Sequence, residues 1–449
     1  MKTPPQNRKS PGPLWVLSIL FLTALPGAAQ PTGATNYPID LPTALRLAHT
    51  QNLDVQIARE GQREAVANQQ STFEQFFPWI SAGAGYHRRN GMAQAVPGGT
   101  VSQARLQSYS PGGTLTAQLD LGDAYYKSLA ARQLATAAAA ALQSRAQDST
   151  LAAAQGYLDL VHAAAQVGVL EESVRLAREY QDQLHQAVAA GIAFKGDELR
   201  VQVQTRRRQL ALRQAQEQQR VNSARLAQIL HLDPLVELLP QELDLAPLKL
   251  IGTNSALDHL VQRALQCRSE LKQRQALVSA ARSAKNGALY GAAVPSLNAQ
   301  AFLGGFGGGP DGGTDHFGAA QDYLFALAWR IGPGGLFDPG RVRAGAARFE
   351  SARLGAQKER DQVIGEVVEC QARMQSFGDQ LATARENLVT AAQSLRLTQE
   401  RKQFGVGIVL EDLQAQQDIT QARSDYLALV AGFDKAQYAL LRAVGGTVE

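Results

Sequence analysis

The chain has little cysteine, few aromatics and no surplus of charge, and each shortage excludes something. Only Cys267 and Cys370 are cysteine in 449 residues, no CxxC pair occurs, and the seven histidines are scattered. A zinc or haem site is not indicated, and no cofactor is expected. Aromatics make up 6% of residues against 45% hydrophobic residues in all. That suffices for a core, but Ala and Gln carry much of the chain, which suits long, closely packed helices. Lys2, Arg8 and Lys9 sit at the N-terminus, and the rest of the 44 Lys and Arg nearly balance 40 Asp and Glu. The pI of about 9.0 therefore lends no general support to a nucleic-acid partner. Catalytic patterns such as HExxH or GxSxG are missing, and paired carboxylates on long helices mean nothing alone. The glycine-rich stretch 304–313 has no following Lys-Ser/Thr, so it reads as a hairpin loop and not a phosphate cradle. The chain is not expected to be an enzyme.

The N-terminus reads as a secretory signal peptide over 1–29. Lys2, Arg8 and Lys9 precede an apolar run, Leu14 to Leu25, that is too short to span a bilayer as a helix. Gly27-Ala28-Ala29 supplies small residues for cleavage, and no cysteine follows the run to carry a lipid anchor. In the oxidising compartment this implies, Cys267 and Cys370 fall at similar depth along their helices. A disulfide between them would need Cα atoms within about 7 Å.

What is present is periodicity, of two kinds. Helical patterns run over about 44–76, 125–189, 197–230, 255–289, 341–404 and 410–444. Period-2 strands are expected near 78–87, 113–121, 295–303 and 321–332, with a loop over 87–113. Leu115, Ala117, Leu119 and Leu121 take one face of the second strand and Thr114, Thr116, Gln118 and Asp120 the other. Trp79, Tyr86, Tyr323, Phe325 and Trp329 are candidate lipid-facing aromatics of such strands.

The two halves read alike. The turn at Gly405 and Gly407 leads through Glu411-Asp412-Leu413 into a seam at Ala415, Ile419, Ala422, Tyr426, Leu429, Phe433, Ala436 and Leu440. Its steps alternate four and three, the period of a coiled-coil seam. Gly191, Asp197, Glu198, Leu199 and Leu226 repeat Gly405, Glu411, Asp412, Leu413 and Leu440 at an offset of about 214 residues. A twofold internal repeat follows: residues 30–234 and 253–446, joined by a proline-bearing linker over 235–252. The long helices, at about 65 residues each, reach about 100 Å. Four strands cannot close a barrel, which needs eight or more, so two or three chains would have to share one.

Lys402-Gln403-Phe404-Gly405-Val406-Gly407, followed by Leu410-Glu411-Asp412-Leu413-Gln414-Ala415, resembles the C-terminal turn of the TolC-like outer-membrane efflux proteins. Both halves match in order, so the resemblance covers nearly the whole mature chain. Many members carry a lipid-anchoring cysteine, and this chain departs from them there.

The resemblance implies a mixed α and β membrane protein. Three chains, four strands each, would form a 12-stranded outer-membrane β-barrel continued by a long periplasmic α-helical coiled-coil barrel. The implied function is an outer-membrane channel-tunnel, the passive exit duct of a tripartite efflux or type I secretion system. The implied partners are two further copies in a homotrimer, a periplasmic adaptor (membrane fusion) protein, an inner-membrane pump and outer-membrane lipid. The alternative, a structural periplasmic coiled-coil protein without a pore, has no need of strictly alternating strands.

The resemblance also places Gly191, Asp197, Glu198, Gly405 and Gly407 at the periplasmic turns and Glu411 and Asp412 at the gate. A ring of three Glu411 would select cations, while Asp412 faces another direction on its helix. On residue type alone, the acidic pair equally serves as a helix cap. Gln414 stands where the family has a second acid and Gly407 where its best-known member has a base, so an ionic latch would be weak. Arg206, Arg207 and Arg208, with Arg200 and Arg213, read as a solvated face, the alternative being a contact surface for a partner protein or for acidic residues of a neighbouring helix. The sparse His and Met weigh mildly against a metal-handling lumen.

Overall fold

The computed structural model describes residues 36–94, 98–233, 235–242, 245–252, 255–310, 316–403 and 409–446. The signal peptide expected at 1–29 lies outside them. Described first are β1 (Asn36–Ile39), α1 (Leu41–Thr50), α2 (Leu53–Glu74), β2 (Trp79–Gln94), β3 (Val101–Leu119), α3 (Leu121–Ala189) and α4 (Lys195–Ile229). There follow β4 (Glu237–Pro240), α5 (Leu257–Cys267), α6 (Ser269–Tyr290), β5 (Ser296–Pro310), β6 (Phe317–Ala328), α7 (Pro339–Gln403) and α8 (Val409–Ala443). Helices α3 and α7, with 69 and 65 residues, are each about 100 Å long. Among the described residues no helix is long and apolar enough to cross a membrane.

The helical patterns at 44–76 and 255–289 are each broken once, where an unbroken helix was expected. Asn52 and Arg268 take nearly the same extended backbone, with ψ of 125° and 127°. Asn52 accepts from the amides of Asp54 and Val55 and donates to the Ile229 carbonyl at 3.1 Å. The Arg268 guanidinium donates to the Ala443 carbonyl at 3.2 Å. Each break thus supplies partners to the last turn of α4 or α8, whose carbonyls have none within the helix. That gain offsets the interrupted helix.

Strands β2, β3, β5 and β6 form one antiparallel sheet in that order, with β2 and β6 at its two edges. Strands β2, β3 and β5 are longer than expected, and β6 keeps its expected length but begins and ends four residues earlier. The segment read as a loop over 87–113 is strand up to Gln94 and again from Val101, and 304–310 of the glycine stretch belongs to β5. Pro111 and the glycines misled the reading. Pro111 pairs with Ala84 of β2, while the register to β5 skips Ser110 and Pro111, consistent with the amide proline lacks. Gly304 lies so close to β3 that a Cβ would stand 2.3 Å from the Pro111 carbonyl oxygen.

Two rows of helices hang from the sheet. Nearest it, α2 packs on α3, α3 on α6 and α6 on α7, which is the order of the strands. Further away, α4 packs on α3, α3 on α8 and α8 on α7. Between the rows lies the main core of Ile39, Ala44, Ala153, Tyr157, Leu160, Leu226, Leu230, Leu238 and Val430. Residues 36–39, ahead of the first helix, and 237–240, within the proline-bearing linker, pair here as parallel strands β1 and β4. The seam residues Phe433, Ala436 and Leu440 enter a second core with Val363, Val367 and Met374 of α7.

Candidate functional site

The chemistry gathers at the ends of the helices furthest from the sheet, where α3 turns into α4 and α7 into α8. Gly191 has φ +76°, a left-handed conformation that ends α3 at little steric cost. Beyond it Ile192 and Phe194 are exposed. Asp197 and Glu198 occupy the first turn of α4, where carboxylates offset the helix dipole. Asp197 pairs with Arg200 at 3.2 Å. The Glu198 side chain is only 1% exposed and is held by Lys195 at 2.5 Å and His185 at 2.9 Å. Its hydrogen bonds from Lys195 and then His185 hold its carboxyl below the usual glutamate range.

The matching turn at Gly405 and Gly407 falls in 404–408, outside the described residues. On its far side the acidic pair divides. Glu411 is half-exposed and accepts from Arg401 at 3.1 Å. Asp412 is 3% exposed and accepts from Gln416 at 3.2 Å, inside the helix packing. The structure therefore does not place Asp412 beside Glu411 on an open face.

Sequence reasoning missed what surrounds Asp412. Arg208, read first as part of a solvated face, is instead half-buried and donates to the Ser173 carbonyl at 3.3 Å and to Gln416 of the neighbouring α8 at 3.1 Å. Burial pushes its guanidinium below its ordinary value, while the Asp412 charge works the other way. Thr420 bonds Ser173 at 3.3 Å, and Gln166 donates to Ser424 at 2.9 Å. These polar contacts fasten α8 to α3 and α4 and flank a cavity of about 210 Å³. The signal was faint: Gln416 and Thr420 follow the seam residues Ala415 and Ile419 by one position each.

At the sheet, Trp79, Tyr86, Tyr323, Phe325 and Trp329 are all exposed, Phe325 to 79%. Tyr86 stands across from Tyr109 with ring centroids 5.2 Å apart. Trp329 lies just past β6 and donates its indole N–H to the Ala293 carbonyl. Cys267 and Cys370 are both free thiols, so the disulfide left open by their depth does not form. Burial, then Glu366 and Glu369, pushes the Cys370 thiol up to about 11. No group of three or more His, Cys, Asp or Glu gathers for a metal among the described residues.

Residues 260–446 match the sequence model of the outer membrane efflux protein family. No curated protein matches the sequence. Solved channels share the fold. The CmeC outer membrane channel of Campylobacter jejuni superposes with a TM-score of 0.77 at 17% identity, covering 90% of this chain and 85% of that one. VceC of Vibrio cholerae gives 0.76 at 16% identity, covering 91% and 97%. The open MtrE channel of Neisseria gonorrhoeae gives 0.73 at 17%, covering 90% and 89%. In sequence, residues 260–446 are similar to the outer membrane efflux proteins, and the chain as a whole shares the fold of these solved channels.

Proposed function

We propose that three copies of this chain form an outer-membrane channel-tunnel, the passive exit duct of a tripartite efflux or type I secretion system. The observation that carries the reading is the four-stranded sheet with two open edges, attached to helices about 100 Å long. Exposed edges of long strands invite pairing, and closure into a barrel is how membranes tolerate them. Three copies supply twelve strands, within the range of such barrels. Each strand has 12 to 19 residues, more than the roughly 9–11 that cross a bilayer. The exposed aromatics suit a lipid-facing band. The helices then extend into the periplasm, with the turns at Gly191 and at Gly405 and Gly407 forming the far mouth.

The two halves act as structural repeats in this reading. Supporting it, Asn52 and Arg268 stand at equivalent breaks and reach equivalent helix ends. The far mouth is where a periplasmic adaptor and, through it, an inner-membrane pump would connect; Ile192 and Phe194 offer apolar contact there. Native mass spectrometry from mild detergent should give a trimer, and planar bilayers should show conductance. A stable monomer without conductance would overturn the reading.

A further inference from the structure

Two apolar features lie on opposite flanks of the chain, just beyond the sheet. On one, the end of α2 leads into the edge strand β2. Phe73 and Phe77 are exposed there and, with Phe76, form an aromatic cluster with ring centroids 5.7 and 6.0 Å apart. On the other flank the edge strand β6 leads into α7. A groove of about 580 Å³ opens there, lined by Leu289, Leu336, Phe337, Pro339, Val342 and Arg343.

The groove is built rather than incidental. Phe337 has φ +64°, a backbone conformation that costs a bulky side chain free energy, yet its ring is 84% exposed. The turn before it is pinned. Leu336 N–H donates to the Arg330 carbonyl at 2.8 Å, Gly332 N–H to the Leu336 carbonyl at 2.9 Å, and Gly334 N–H to Asp338 at 2.9 Å. Strain of this kind persists only where the surroundings enforce it, and here it holds an aromatic ring out of its own core.

We infer that the Phe73–Phe76–Phe77 cluster of one protomer fills the Leu289–Phe337–Val342 groove of the next, sealing the joint beneath the barrel. The inference rests on the trimeric reading. The argument is positional. Strands run β2-β3-β5-β6 and the helices beneath run α2-α3-α6-α7, so β2 with α2 and β6 with α7 stand at opposite ends of both rows. Closing a ring of copies sets the β6 and α7 end of one against the β2 and α2 start of its neighbour. Cluster and groove then meet at one height, because each is the first segment beyond an edge strand. Charge agrees as well: Glu74 sits among the phenylalanines and Arg343 lines the groove. An apolar seal is what this height requires, since a gap between protomers would join the lumen to the space outside.

The test uses the full chain with Cys267→Ser and Cys370→Ser. Phe73→Cys, Phe76→Cys and Phe77→Cys are each combined with Leu289→Cys or Val342→Cys and oxidised in membranes. At least one pair should yield a covalent trimer on denaturing gels, and mixing differently tagged single-cysteine chains should show that the bond joins two copies. Phe337→Gly, which relieves the left-handed backbone, should leave an assembled trimer that dissociates at lower temperature in SDS. Native mass spectrometry is run on the same samples. A trimer with no cross-link from any pair, and Phe337→Gly as heat-resistant as the parent, would overturn the seal, leave the channel reading intact and assign the groove to lipid. Monomers in every sample would overturn both.

Discussion

Two arginines do at the residue scale what apolar packing does elsewhere. Arg442, near the end of α8, pairs with Asp148 of α3 at 2.5 Å and with Glu270 of α6. Arg268 pairs with the same Glu270 at 3.1 Å and with Glu366 of α7 at 2.6 Å. Both arginines are buried, so four helices are tied through charges that water cannot replace. Burial works against the Glu270 carboxylate, but Arg442, a backbone hydrogen bond and lastly Arg268 prevail and hold it below its ordinary 4.5. Its contribution is present above that value and is lost as pH falls through the lowered one. Arg442→Met leaves Glu270 buried with one cation, which should destabilise the fold by about 3–5 kcal/mol in denaturant titration. The difference between variant and parent should shrink on acidification below pH 4.5.

Asp434 behaves in the opposite sense. Burial pushes its carboxyl up to about 6, although the Leu248 amide donates to it at 2.8 Å. The native chain therefore binds a proton there at pH values where the unfolded chain, with a pKa of about 3.9, does not. Stability from this group is greatest below about pH 4 and falls as pH rises to 6. Asp434→Asn keeps an acceptor for Leu248 without the charge. It should be the more stable protein at pH 7–8, by on the order of 2–3 kcal/mol in thermal or denaturant unfolding, and equal to the parent below about pH 4.

At the scale of elements, the long helices and the existence of four strands were legible because period 3.5 and period 2 differ plainly over many residues. The strand ends were not. Gly91, Pro111 and the 304–309 glycines are loop residues by type, and only their neighbours across the ladder make them strand. The breaks at Asn52 and Arg268 were equally hidden, because the partner that stabilises each lies at the end of a helix far along the chain. Asn52→Ala removes the bonds to Asp54, Val55 and Ile229 together. It should cost about 1–3 kcal/mol and raise hydrogen exchange in the first turn of α2 and at the end of α4. An unaltered exchange pattern would mean that the break is set by packing alone. Of the candidate site, Gly191, Asp197 and Glu198 could be read locally. Arg208 could not, since its partners Ser173 and Gln416 come from two other helices.

At the scale of the whole molecule, the acidic pair after the second turn acquires meaning only in an assembly. Within one chain Glu411 is half-exposed and offset by Arg401, while Asp412 is enclosed by the packing of α8 against its neighbours. In the ring of three chains proposed above, Glu411 would be the carboxylate left able to face a shared axis. Three such charges in a narrow mouth attract cations and favour multivalent ones. Arg401 opposes this, so the field should be weaker than that of three unpaired carboxylates. Four proteins separate these contributions in planar bilayers: the parent, Glu411→Gln, Arg401→Gln and Asp412→Asn. Glu411→Gln should lower cation selectivity and abolish block by divalent or trivalent cations. Arg401→Gln, by freeing the carboxylate, should raise both. Asp412→Asn should leave selectivity unchanged but loosen the packing that holds α8, and so alter how often the pore opens. If Glu411→Gln and Arg401→Gln both behave like the parent, the charges at this turn only cap helix α8, and the selectivity of the duct is set elsewhere along its length.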